Sequence, residues 1–477
     1  MSAARELQPR PAAGPEPGRR RWIALGFIAV AQLMIALDAT IVSIALPSAQ
    51  AALTASDADR QWVVTAYTLS FGGLLLLGGR IADSIGRKHA FVVGLAGFAL
   101  ASAIGGSAPN FAVLVAARAL QGCFAALLAP TALSLLAVSF TEPKERATAF
   151  AVYGSIAGSG AAIGMLLGGA LTQYFSWRWC LYVNLPIAIV AAIGGLIALP
   201  SSPARRRLGL DLPGAALATT GFVSLVYACS QSVTSGWRST EVVGLLALSG
   251  LALAAFVLRE SRTPSPLLPL GIFANRNRSG AYITVALGLA GLLGAFLFLT
   301  YYMQAVLHYT PVQAGLGFLP ITVASQAASW LIARRLMPRV APRTLMVPAA
   351  VLAAAGMALL TQLRVDSGYL SLVLPAEVLL GLGIATLMVP AFSLATVGVD
   401  PRQSGAASAT VNAAQQIGAS IGVAVLNTIA TSATQGFAGS TTGALVHGFS
   451  VATMWGSGIL LVAAVVAGIL ITAPRPR

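Results

Sequence analysis

Long apolar runs, separated by short clusters of charged, proline and glycine residues, recur along the whole chain. A helix that crosses a bilayer needs about twenty predominantly apolar residues. On that length the pattern predicts fourteen membrane-spanning helices, at 22–43, 60–79, 89–107, 111–138, 147–172, 178–199, 213–231, 241–258, 279–304, 314–336, 343–362, 369–397, 405–430 and 447–472. Many are rich in small residues; Gly154, Gly158, Gly160, Gly164, Gly168 and Gly169 in the fifth allow close helix packing in lipid. The predicted fold is all-α and integral to the membrane.

Composition agrees with the pattern. Over 477 residues, 57% are hydrophobic and 9% charged, with a mean hydropathy of +0.82. Such a chain lacks the polar surface a soluble globule needs, and its short loops leave no room for a soluble catalytic domain.

The cations add topology. Of the 29 Lys and Arg residues, only Arg60, Arg178, Arg238 and Arg364 fall in one set of alternate loops, and Arg118 falls inside a span. The rest occupy the other set and the two tails. Loops rich in Lys and Arg stay cytoplasmic, so both termini are expected in the cytosol of a multi-pass inner-membrane protein. The net charge of +15 is dispersed over these loops and forms no single basic stripe, so no nucleic-acid partner is expected. Cys123, Cys180 and Cys229 lie in or beside different spans, without the spacing of a disulfide framework or metal site. Residues 1–21 are polar and proline-rich and end in Arg19, Arg20 and Arg21; they read as a disordered cytoplasmic tail before an uncleaved first helix.

Two internal echoes point to repeated halves. GRIADSIGRKHAF, from Gly79 to Phe91, has a degraded counterpart in ARRLMPRVAPR, from Ala333 to Arg343. The connection holding Glu145, Arg146 and Ala147 is similar to that from Asp400 to Ala406. The implied organisation is a six-helix bundle over 22–200, an inserted helix pair over 201–262, and a second six-helix bundle with a short tail over 263–477.

The string GRIADSIGRK resembles the signature between the second and third helices of the major facilitator superfamily, matched at Gly79, Ala82, Asp83, Gly86, Arg87 and Lys88. In that family the loop is a cytoplasmic latch made in one access state; the alternative is a plain loop obeying the charge rule, which leaves the glycines and Asp83 without a use. LDATIVSIALP (Leu37 to Pro47) resembles the first-helix motif of the fourteen-helix drug:proton antiporters, with Asp38 as its acidic residue, and RALQG (Arg118 to Gly122) the fourth-helix motif, with Arg118 as its buried cation. WRWCLYVNLP, YYMQAVLHYTPVQAG and the run around Gln415, Gln416 and Gly418 are similar to the same branch. One departure stands in the fifth-helix antiporter motif, carried here by Gly160, Gly164, Gly168 and Gly169: its usual Gly-Pro is Gly164 and Met165, which removes an expected bend.

Ionisable groups inside a membrane are expensive. Asp38, Arg118 and Glu377 are placed at similar depth, in the outer half of the bilayer, by a rise of about 1.5 Å per residue. Asp38 and Arg118 can pair; the pair is either a proton-coupling switch or a fixed orienting contact. Glu377 either carries a second proton, attracts a cationic substrate, or pairs locally. The resemblance puts Tyr67, Gln121, Tyr301, Gln304, Gln326, Asn412, Gln415 and Gln416 on helices that line the transport cavity, where aromatic faces and neutral hydrogen-bonding groups suit amphipathic molecules; each is equally able to join two helices.

The expected function is proton-coupled export of hydrophobic or amphipathic small molecules by a monomer, with protons and membrane lipid as its other partners. No cofactor or metal is expected, and ATP is not required because no phosphate-binding G-x-x-x-x-G-K-[ST] loop is present. Symport of a specific metabolite in the same fold is one alternative. A polytopic enzyme acting on lipid is another, but His89, His308 and His447 fall in or near separate loops with no nucleophile or metal pattern joining them.

Overall fold

A computed structural model describes residues 18–54, 62–199, 211–263, 266–400 and 403–474. Most of the expected tail, and Arg60, Arg205 to Arg207 and Arg402, lie outside the described residues. Among the described residues there are fourteen long helices and no strand: α1 (Gly18–Ala52), α2 (Trp62–Ile85), α3 (Arg87–Gly106), α4 (Phe111–Ser139), α5 (Pro143–Tyr174), α6 (Trp179–Ala198), α7 (Leu212–Ser235), α8 (Thr240–Glu260), α9 (Arg276–Val306), α10 (Val312–Leu336), α11 (Pro342–Leu360), α12 (Tyr369–Thr396), α13 (Ser404–Gln435) and α14 (Thr441–Leu470). Thirteen of them are long and apolar enough to cross a membrane. The fourteenth, α5, is a continuous 32-residue helix in which the side chains at 157, 161–162 and 165 lie outside the described residues, and it packs against α1, α10 and α12.

Local chemistry sets the helix ends. Side chains of Asn110, Ser239, Asn275 and Ser440 cap α4, α8, α9 and α14 by accepting a bond from the third residue on. Thr310 and Gln313 form a reciprocal capping box at the start of α10. Three helices carry a widened π turn, at Tyr302–Val306, Ile332–Leu336 and Tyr369–Val373. The apolar runs do not show the break in α10, where Phe318 separates Pro311–Gly317 from Leu319–Leu331.

The helices pair in a repeated order. In the first six, α1 packs on α4, α5 and α6, α2 on α4, and α3 on α4 and α6. Eight helices later, α9 packs on α12, α13 and α14, α10 on α12, and α11 on α12 and α14. Between the two sets α2 and α4 meet α13, just as α10 and α12 meet α5. The hairpin of α7 and α8 sits to one side, with α7 packed against α2 and α13.

The ends of α1 and α14 share one face. Arg21 of α1 pairs with Glu145 of α5 at 2.6 Å, and Asn277 of α9 accepts bonds from the backbone of Thr472 and Ala473 just beyond α14. This face, which also bears the turn between α2 and α3, is termed the basic face.

Candidate functional site

Asp38 lies midway along α1 and is fully buried. Its carboxylate accepts three side-chain bonds: Oδ2 from Arg118 Nη1 at 2.6 Å, and Oδ1 from Asn184 Nδ2 at 2.8 Å and Gln121 Nε2 at 3.1 Å. Gln121 and Asn184 also donate to Ser102 Oγ, at 2.6 and 3.3 Å. Helices α1, α3, α4 and α6 therefore meet at one anion. Arg118 is equally committed: Nε donates to the Val63 carbonyl at 3.2 Å, Nη1 also reaches Gln121 Oε1 at 2.8 Å, and the guanidinium lies 4.4 Å from the centroid of the Tyr67 ring. A charge buried at this depth is tolerated only when its lone pairs or protons are satisfied in this way.

The glycines of α5 hold this segment of α1 close. A Cβ on Gly160 would stand 2.5 Å from Ala36 Cβ, one on Gly164 2.0 Å from Thr40 Oγ1 and 3.0 Å from the Leu37 carbonyl, and one on Gly168 2.9 Å from Ile41. Gly169 faces Val312 of α10 at an ordinary 3.4 Å. The side chain of Met165 lies outside the described residues; the helix around it is continuous.

Beside the pair is a cavity of about 1070 Å³, lined by residues of α1, α2, α4, α7, α9, α13 and α14. Along α13 the lining begins at Asn412 and runs to Gln435, the helix's last residue, so the cavity reaches the face opposite the basic face. Arg118 and Tyr67 form part of its wall, with Asp38 behind them. Of the eight residues expected to line it, Tyr67, Tyr301, Asn412, Gln415 and Gln416 do so.

The other three lie elsewhere. Gln121 is withdrawn into the Asp38 network. Gln326 donates to the Ser155 carbonyl at 3.2 Å, joining α10 to α5. Gln304 is exposed and outside the lining, because the π turn in which it sits changes the helix phase there. Glu377 is also separate from the cavity. It is fully buried, takes a 3.4 Å bond from Tyr369 Oη to Oε2, and has no partner at Oε1 among the described residues. Tyr369 is itself tied to the Gly317 carbonyl at 2.6 Å.

On the basic face the expected latch is mostly helical. The α2 helix continues through Asp83 to Ile85, and only Gly86, at φ 91°, leaves it before α3 begins. That left-handed turn favours glycine. Arg87 bonds Asp83 at 3.3 Å, and Lys88 caps α6 at the Leu196 carbonyl at 2.7 Å. Across the halves, a Cβ on Gly79 would stand 2.8 Å from the Gly405 carbonyl of α13. The related contact is made by Arg146 of α5, which donates to Thr396 Oγ1 of α12 at 2.5 Å, beside an apolar cluster of Ala147, Ala151, Ile332, Leu345 and Val389. The basic face is therefore closed while the opposite face holds the cavity.

Ser102, Asn184 and the Val63 carbonyl have no assigned role in the sequence reading. An asparagine inside the apolar run that follows Trp179 was the available signal for Asn184; Ser102 gave none.

The comparisons agree with this geometry. The chain is 52% identical over 467 residues to the puromycin resistance protein pur8 of Streptomyces alboniger, covering 96% of this chain and 92% of that one. It is 40% identical over 416 residues to the cephamycin export protein CmcT of Amycolatopsis lactamdurans, covering 87% and 86%. The crystal structure of the human organic anion transporter MFSD10 (TETRAN) superposes with a TM-score of 0.67 over 95% of this chain and 100% of that one, at 16% identity, a likeness of fold. The model of the Major Facilitator Superfamily matches residues 28–423, and the chain, a multi-pass membrane protein, belongs to that family.

Proposed function

We propose that the protein exports drug- or antibiotic-like small molecules from the cell in exchange for protons, as a monomer, with the basic face in the cytoplasm and both termini there. The export reading draws on the two antibiotic resistance and export relatives. The observation that carries the coupling is the buried pair of Asp38 and Arg118, whose arginine also forms the cavity wall.

In the state described, the arginine and two amides donate to the carboxylate. A substrate that engages Arg118 or Tyr67, or a helix movement that draws α4 away from α1, breaks this set of bonds and leaves the anion poorly solvated. A proton from outside then neutralises it. Closure of the outer face and opening of the basic face carry the proton inward, and restoration of the arginine contact releases it. The closed latch of Gly79, Asp83, Gly86, Arg87 and Lys88 belongs to the outward-facing state of this cycle. Glu377 lies outside this path and pairs with no cation among the described residues, so it is assigned to helix packing.

The driving force suffices. One charge moving through 100 mV yields about 2.3 kcal/mol, and one pH unit adds about 1.4 kcal/mol. No cofactor, metal or ATP enters the scheme.

The test is transport by purified protein in liposomes under an imposed proton gradient. Export requires substrate and protons to move in opposite directions, and Asp38→Asn to abolish gradient-driven transport while still inserting. Transport that persists after pH and voltage differences are collapsed would remove the coupling. An inverted pH dependence would indicate symport.

A further inference from the structure

The export reading leaves open what the cavity accepts, and the charges on its wall bear on this. Among the described residues lining it there is no Asp, Glu, Lys or His, and the charged side chain is Arg118. Its counter-ion, Asp38, is fully buried and already engaged by three donors. A molecule entering from the open side therefore meets the guanidinium and the Tyr67 ring, with the carboxylate screened behind them. A lipophilic cation entering here would lose water and gain no anion to pair with, which is unfavourable in a site of low polarity.

What the cavity does offer is neutral hydrogen bonding on one rail. Asn412, Gln415, Gln416, Ser420, Asn427 and Thr431 of α13 all line it. At about 3.6 residues per turn these positions fall on one side of the helix. Amide side chains both donate and accept, so the rail suits hydroxyl, amide and ether oxygen groups rather than a point charge. Leu289, Leu293 and Phe298 of α9 supply apolar surface beside it. Tyr67 adds a buried hydroxyl with no partner among the described residues. Helix α7 closes the cavity on another side with Val226, Cys229 and Ser230, so the inserted hairpin belongs to the binding wall.

We infer that the cavity selects uncharged amphiphiles bearing several hydrogen-bonding groups and rejects permanently charged lipophilic cations. The inference rests on the export reading above and deepens it.

Two probes on one aryl-amide scaffold test it, one neutral and one carrying a quaternary ammonium group, in proteoliposomes under an imposed proton gradient. The wild type is expected to move the neutral probe at least about tenfold faster. Gln415→Glu and, separately, Ser420→Asp are expected to narrow that ratio at least about fivefold by giving the cation an anion to meet. Wild-type transport of the two probes within about twofold of each other overturns the selectivity while leaving export intact, and needs no variant to fold. An unchanged ratio in both variants, with each shown to be folded by its thermal transition, overturns the assignment to the α13 rail. Failure of the wild type to move either probe under an intact gradient brings down export itself, and selectivity with it.

Discussion

Asp83 of α2 and Gly405 of α13 meet across the two halves so closely that a Cβ on Gly405 would stand 2.4 Å from Asp83 Oδ2 and 2.7 Å from the Gly79 carbonyl. The carboxylate thereby sits at the start of α13, where the helix dipole favours negative charge. Gly405→Ala is expected to open the basic face. Overpacking of this kind costs about 1–3 kcal/mol, enough to lower the closed-to-open ratio by about tenfold. Spin labels on the basic-face ends of α2 and α13 are expected to show a longer distance; an unchanged distribution would show that the contact yields without opening the face.

The pair at the cavity wall is expected to behave as a unit. Arg118→Gln leaves a buried carboxylate without its cation, at a cost of about 3–5 kcal/mol. Adding Asp38→Asn is expected to restore most of the lost thermal stability and none of the proton coupling. The thermal transition in detergent separates the two effects. A double variant no more stable than Arg118→Gln would place the cost in the contacts of Arg118 with Val63 and Tyr67.

Asn184→Leu removes one donor to Asp38. A hydrogen bond to a charged group contributes about 1.5–3 kcal/mol, so gradient-driven transport is expected to fall by about tenfold. Retained transport with a lowered thermal transition would assign Asn184 to helix packing.

Glu377→Gln is expected to keep both the thermal transition and the transport rate within about twofold of wild type, since the amide matches the side chain's shape and carries no charge into a buried site with no cation partner among the described residues. Loss of transport with stability retained would instead put Glu377 on the proton path.

The hairpin of α7 and α8 carries its own pH dependence. Burial pushes the Asp211 carboxyl up, but its bonds from Arg259, at 2.8 Å and 3.0 Å, and from the Gly214 amide outweigh this and hold it below the usual carboxylate value. A carboxyl depressed in the folded state contributes stability above its unfolded pKa of about 3.9 and loses it as pH falls through the folded value. Proteolysis between α6 and α7, and between α8 and α9, is therefore expected to accelerate in acid. Asp211→Asn is expected to cut faster at neutral pH as well; equal rates would show that helix packing alone secures the hairpin.

Much of this architecture was legible because a bilayer imposes one length on every apolar run, and because charges are too costly in lipid to appear without a use. Asp38 and Arg118 stood out for that reason and are found bonded. Where neutral groups were concerned, the pattern lost resolution. Gln121 and Gln415 look alike as polar residues in apolar helices, yet one turns into the Asp38 network and the other faces the cavity, a difference set by helix rotation. The π turn that carries Gln304 and the break at Phe318 depend on how α9 and α10 meet their neighbours, which no local run encodes. The depth estimate for Glu377 put it level with Asp38 without showing that helix packing keeps it out of the shared space.

Helix α13 runs unbroken from the Gly405 contact through the hydrogen-bonding rail to the far rim of the cavity. Thirty-two residues at about 1.5 Å each make a rod of about 48 Å. Pivoting such a lever by about ten degrees at its middle carries each tip about 4 Å in opposite directions. Were the rod to move as one piece, loosening the grip at one end and pinching the other would be a single mechanical event.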